Sequence, residues 1–144
     1  MVDDASLLEI LHHLEESLDY LASDTPASEQ QLESSGRLRR AIAHALQTAI
    51  QAAIDIGETL AATRGLREPR SAADTFRVLA QEGLLDPALS KEMEALVRFR
   101  NILVHGYARL QPSEVYRNAT EGVRTLRQFA ALAAEWVSGE DAEA

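Results

Sequence analysis

The chain has 144 residues, 46% of them hydrophobic, a formal net charge of −9 and no cysteine. That length suits one domain with a real core, the missing thiols exclude disulfides and thiolate metal sites, and the acidity argues against broad nonspecific binding to nucleic acid. The acidic start Met1-Val-Asp-Asp-Ala-Ser lacks the basic region of a signal peptide, and no apolar run nears the ~18 residues of a membrane span, so a soluble cytoplasmic protein is expected.

Ala, Leu, Glu and Arg dominate and aromatic residues are few, which points to an all-α protein. Leu7, Leu11, Leu14, Leu18 and Leu21 repeat with 3–4 spacing and predict a first helix over 5–23 with one apolar stripe. Thr25-Pro26 breaks it. Residues 27–36 are polar and read either as a frayed helical start or as a loop. From Arg37 to about Thr63 a long helix buries Leu38, Ile42, Leu46, Ala49, Ile50, Ala53, Ile54 and Leu60, and its many alanines would let neighbours approach closely. Gly65 stops it and residues 64–70 form a loop.

Ser71-Ala-Ala-Asp74 resembles a capping box and opens a short helix, 72–82, ending at Gly83. Asp86-Pro87 caps the next helix, which carries Leu89, Met93, Leu96, Val97, Leu103 and Val104 inward and ends near Gly106. Pro112-Ser-Glu opens a last helix with Val115, Ala119, Val123, Leu126, Ala130, Ala133 and Val137 as its apolar positions. The expected architecture is an antiparallel up-and-down bundle of four to five helices. One domain spans 1–137, followed by a loose acidic tail over 138–144.

The densest chemistry lies in residues 98–107, Arg-Phe-Arg-Asn-Ile-Leu-Val-His-Gly-Tyr. Arg98, Asn101 and His105 share one helical stripe at spacings of three and four. Arg100 and His105 are five apart, about 140° around a straight helix, so they do not meet unless the helix ends or bends. Arg100 leans toward the buried side, where an unpaired charge is too costly. Its acceptor would be a carboxylate, with Asp55 or Glu58 of the long helix as candidates, or a phosphate. A cation beside a titratable imidazole suits metal-independent cleavage of RNA. Neutral His105 can take a proton from a ribose 2′-OH or give one to the leaving 5′-oxygen, while a guanidinium stabilises charge on the phosphoryl oxygens. Asn101 could orient the imidazole and Tyr107 could touch a phosphate or stack on a base. The plainer reading makes these residues caps and surface hydrogen-bonders.

Arg100-Asn-Ile-Leu-Val-His105-Gly-Tyr107 resembles the Arg-x4-His-x-Tyr signature of the HepT-like toxins in the HEPN superfamily. The Ala-rich stretch from Leu38 to Gly57, Ser71–Gly83 and Leu96–Asn101 agree with that family in order and spacing. The resemblance implies an HEPN-like helical bundle that forms a two-fold homodimer. It implies a ribonuclease toxin of a toxin–antitoxin pair, in which Arg100 and His105 of both protomers line a shared cleft. It also implies a minimal nucleotidyltransferase as antitoxin partner, with Tyr107 as the residue that receives adenylyl groups. Carried over by position, Arg100 and His105 are catalytic and Asn101 matches the common residue after the Arg, while Arg98, Asp55 and Glu58 are supporting residues on the spacing and charge arguments above. Within a dimer, the 140° separation ceases to count against the pair. The alternative is a non-catalytic accessory subunit that binds nucleotide or the nucleotidyltransferase.

Other polar residues carry less. His12 and His13 point about 100° apart on a helix and make poor joint ligands. His44 reads as an ordinary helix residue and Trp136 as core or dimer contact. No phosphate-binding Gly-rich loop and no metal-ligand cluster occurs in the sequence, so no cofactor and no metal is expected. The cations number 13 Arg and one Lys, Lys91, a bias that a GC-rich genome also produces.

Overall fold

A computed structural model describes residues 4–139, and the secondary structure within that span is helical, with no strand. The helices are α1 (Asp4–Asp24), α2 (Glu29–Glu33), α3 (Gly36–Thr63), α4 (Ala72–Gln81), α5 (Pro87–His105), α6 (Pro112–Arg117) and α7 (Val123–Ser138). They form an antiparallel up-and-down bundle whose long members are α1, α3, α5 and α7.

All five leucines of the α1 stripe are buried against α3 and α7, while His12 and His13 are exposed. Each buried leucine contributes about 1.5–3 kcal/mol relative to exposure. The exposed ion pair of Asp19 with Arg127 on α7, 3.4 Å long, adds at most about 1 kcal/mol, so the stripe holds α1 in place.

Helix α3 is the shared partner of the other long helices and of α4. Its alanines at 43, 45, 49, 52, 53 and 61 and its Gly57 are buried. A Cβ on Gly57 would stand 2.6 Å from Thr75 Cγ2, so α4 crosses α3 at a distance only glycine permits. Phe76 of α4 then meets Phe129 edge-on at 5.5 Å, and Phe129 meets Trp136 at 5.6 Å. Trp136 is therefore a core residue.

Two buried carboxylates fix α4 to its surroundings. Ser71 Oγ accepts from the Asp74 N–H, as in a capping box, but the Asp74 carboxylate accepts from the Arg70 N–H and from both terminal nitrogens of Arg67. The loop before α4 is thereby clamped to the first turn of that helix. The Arg67 guanidinium, followed by the Arg70 N–H, holds the Asp74 carboxyl well below the usual carboxylate range. Glu94 of α5 accepts from Arg77 of α4 at 2.8 Å, joining those two helices.

The structure departs from the expected elements in three places. The polar stretch 27–36 contains α2, opened by a capping box in which Ser28 Oγ accepts from the Gln31 N–H and Gln31 Oε1 accepts from the Ser28 N–H. Leu32, buried among polar neighbours, anchors it. The last helix is interrupted: a π-helical turn, Asn118–Gly122, separates α6 from α7. The buried residues Val115, Ala119 and Val123 are spaced by four, and a wider turn keeps all three on the inner face. Val104 is exposed rather than buried, because the α5 stripe rotates it away from the core near the helix end. Of the expected loose tail, Ser138 is the last residue of α7, Gly139 caps it at φ +78, and 140–144 lie outside the described residues.

Asp74→Asn should lower the melting temperature by about 5 °C or more, since it removes the charge-assisted bonds to Arg67. A depressed carboxyl stabilises the fold fully above the unfolded value of about 3.9, and the benefit fades as pH falls through the folded value. The deficit of Asp74→Asn should therefore be constant from about pH 5 to 8 and shrink below about pH 4. Thermal melts of both proteins across that range provide the check.

Candidate active site

Helix α5 starts at Asp86, whose carboxylate accepts from the Ala88 N–H at 2.8 Å, with Pro87 in the first turn. Its inner face runs Leu89, Met93, Leu96, Val97, Phe99 and Leu103. The helix stops at His105, where the Gly106 N–H still reaches the Ile102 carbonyl at 2.7 Å. A single 3₁₀ turn, Tyr107–Arg109, follows and leads through Leu110 and Gln111 into α6. The sequence pattern carries no signal for this turn, and it organises the site.

The turn separates two grooves. One, of about 500 Å³, is lined by Asn101, Ile102, His105, Gly106, Arg109 and Glu114. Asn101 and His105, one helical turn apart, thus face the same space, with Arg109 beside them. Arg98 is exposed one turn earlier on that stripe. The other groove, of about 460 Å³, takes Tyr107 and Ala108 from the turn and Arg39 and Arg40 from the first turns of α3. Arg39 and Arg40 are invisible to sequence reasoning as site residues because they lie far from the motif in the chain.

Arg100 sits between core and surface on α5, and its Nε is buried without a hydrogen-bond partner. Buried polar groups in folded proteins usually find partners, but Arg100 Nε, like Thr25 Oγ1, lacks one among the described residues. The expected carboxylates do not supply it. Asp55 accepts from Gln51 at 2.9 Å. Glu58 is exposed on a groove with Leu66 and Arg67. No ion pair joins either to Arg100. Arg100 and His105 also point apart, as the spacing required: one is half-buried, the other exposed.

Around this end of α5 the surface is apolar as well as polar. Ile102, Val104 and Tyr107 are 41%, 43% and 42% exposed. Together with Leu8 they are the large hydrophobic side chains exposed among the described residues. Three of the four therefore gather within six residues of the chain, next to the orphaned guanidinium.

A model of the family described as Ribonuclease HepT-like matches residues 7–133. The chain belongs to that family. The mRNA nuclease HepT of Shewanella oneidensis is 33% identical to it over 84 residues, a match spanning 58% of this chain and 63% of that relative. The chain thus covers less than two thirds of that relative's length. A solved tri-AMPylated HEPN toxin of S. oneidensis, in complex with MNT antitoxin, superposes with a TM-score of 0.82 at 24% identity, over 92% of this chain and 97% of the other. A toxin–antitoxin structure with AMP-PNP gives 0.81 at 23% identity, covering 88% and 95%. The cytosolic protein YutE of unknown function from Bacillus subtilis gives 0.83 at 22% identity, covering 96% and 93%. At these identities the solved structures speak for the fold, and the family's helical architecture is the one described above.

Among the described residues no group of three or more His, Asp or Glu side chains is placed to hold a metal ion, and no helix is long and apolar enough to cross a membrane.

The side chains of Asn101, His105 and Tyr107 are exposed and make no hydrogen bond or ion pair among the described residues. Asn101→Ala, His105→Ala and Tyr107→Phe should each change stability by no more than about 0.5 kcal/mol. Urea denaturation is the measurement. A loss of several kcal/mol in any of the three would assign that residue to the fold rather than to a site.

Proposed function

We propose that this protein is a metal-independent endoribonuclease toxin. It cleaves RNA in a cleft shared by two protomers, and a nucleotidyltransferase antitoxin holds it in check. The observation that carries the reading is the buried, unpartnered Nε of Arg100 beside the exposed apolar end of α5. The named relative, an mRNA nuclease, supports the reaction class. The solved toxin–antitoxin complexes that share this fold support the partner.

Two copies meeting through Ile102 and Val104 would bury that apolar patch and bring the α5 ends face to face. Arg100 of one protomer then stands beside His105 of the other, with a scissile phosphate between them. His105 takes the proton from the ribose 2′-OH, the 2′-oxygen attacks the adjacent phosphorus, and the bond to the 5′-oxygen breaks as that oxygen takes a proton from the imidazolium so formed or from water. The products are a 2′,3′-cyclic phosphate and a free 5′-hydroxyl. Arg100 neutralises the charge gathering on the phosphoryl oxygens. Asn101 orients the imidazole and Arg98 meets the RNA backbone. Dependence on the 2′-OH restricts the reaction to RNA.

Tyr107 is the residue the partner modifies. Its phenolic oxygen attacks the α-phosphorus of ATP, a P–O bond to tyrosine forms, the bond to pyrophosphate breaks, and the phenolic proton leaves to a base of the partner. Exposure of Tyr107 on the turn leaves the hydroxyl reachable. The adduct adds bulk and negative charge where RNA must bind.

His105→Ala should lower RNA cleavage about 10²–10⁴-fold, and induced expression of the wild type but not of this variant should arrest growth. Arrest that persists in His105→Ala would defeat the ribonuclease reading and favour a binding subunit. Sedimentation should give the mass of a dimer at micromolar concentration, and Val104→Asp should give a monomer with little cleavage. Incubation with the partner and ATP should add AMP mass to the wild type and none to Tyr107→Phe, read by peptide mass spectrometry; label on another residue alone would rule the site out.

A further inference from the structure

A chain of net charge −9 that acts on RNA needs a local cationic surface to hold the strand. The groove across the 107–109 turn from His105 has that character. Two arginines, Arg39 and Arg40, and one acidic residue, Glu33, line it. That carboxylate pairs with neither arginine. Arg39 donates to the Glu33 carbonyl, which holds its guanidinium in place, and Arg40 is exposed and unpaired. Tyr107, itself exposed, lines the same groove. A volume of about 460 Å³ falls in the range of small-ligand sites.

Resting on the ribonuclease reading above, we propose that this groove is a subsite for a nucleotide flanking the scissile bond. Arg39 and Arg40 hold its phosphate, and its base stacks on Tyr107. Guanidiniums suit phosphate oxygens by their forked geometry, and an aromatic ring beside cations is the recurrent platform for single-stranded nucleic acid. The two grooves share the turn from Gly106 to Arg109 as their common rim. A strand crossing that rim places one phosphodiester against His105 and a neighbouring one against the arginines. Tyr107 then has a role of its own in the unmodified enzyme, as a substrate-binding residue. An adenylyl group on its hydroxyl would fill the subsite from within.

The test uses full-length protein carrying His105→Ala, so that RNA is bound without being cut, and a labelled single-stranded RNA decamer followed by fluorescence anisotropy. Adding Arg40→Ala should weaken binding about tenfold. The slope of log affinity against log salt should drop by about 0.7 for each phosphate no longer neutralised. Arg39→Lys/Arg40→Lys should retain most of the salt slope. Tyr107→Phe should bind as before and Tyr107→Ala should not. In the cleaving protein, Arg40→Ala should raise KM with kcat within about twofold. Unchanged affinity and slope in Arg40→Ala would overturn the proposal. So would an equal loss on changing Arg124, an exposed arginine of α7 outside this groove, since that would be a general charge effect. If the wild type cleaves no RNA while the binding differences appear as stated, the ribonuclease reading fails and the subsite stands.

Discussion

The closeness with which α3 admits its neighbours governs the rest of the bundle. Gly57 leaves no room for a Cβ beneath Thr75, so α4 lies almost directly on the α3 backbone. From that contact the fixings run outward. Arg67 and Arg70 clamp the preceding loop onto Asp74, and Arg77 ties α4 to Glu94 of α5. The Phe76–Phe129–Trp136 chain of edge-on rings joins the same helix to α7. Helix α5 is therefore held along its inner face and at its midpoint, and its last turn projects beyond these fixings.

The end of α5 is where exposed apolar side chains gather beside an unsatisfied polar atom. The core is continuous and its buried carboxylates are paired, yet Arg100 keeps an unpartnered buried nitrogen and three large apolar side chains stay exposed nearby. Local inconsistency of this kind concentrates at functional sites in otherwise well-made domains. It also explains why the apolar and charged features belong together: one contact with a second body would cover the first and complete the second.

The sequence announces most of the frame because its signals are local. The leucine spacing of α1, the alanines of α3, the Asp86-Pro87 start and the Gly106 stop each specify an element without help from distant residues. The motif from Arg98 to Tyr107 is legible for the same reason, as is the divergence of Arg100 and His105. What escapes depends on tertiary context. Residues 27–36 are polar, and only the buried Leu32 and the Ser28–Gln31 cap reveal α2. The four-residue spacing of Val115, Ala119 and Val123 does hint at the π-helical turn, but such turns are rare enough to be read as ordinary helix. Asp55 and Glu58 qualify as partners for Arg100 on charge alone, but in the fold Asp55 accepts from Gln51 and Glu58 is exposed in another groove. Arg39 and Arg40 come to Tyr107 only because α2 and α6 fold back there, helped by the Tyr116 hydroxyl donating to the Pro26 carbonyl at 3.1 Å.

The 3₁₀ turn between the two grooves has an evolutionary consequence. Three residues separate a wall built mainly from the end of α5 from one that draws on α2, α3 and α6, so the two walls come from distant parts of the chain. Substitutions on the α3 side can accumulate without disturbing the imidazole. If the two grooves act as proposed, such changes would alter what is held without altering the group that acts on it.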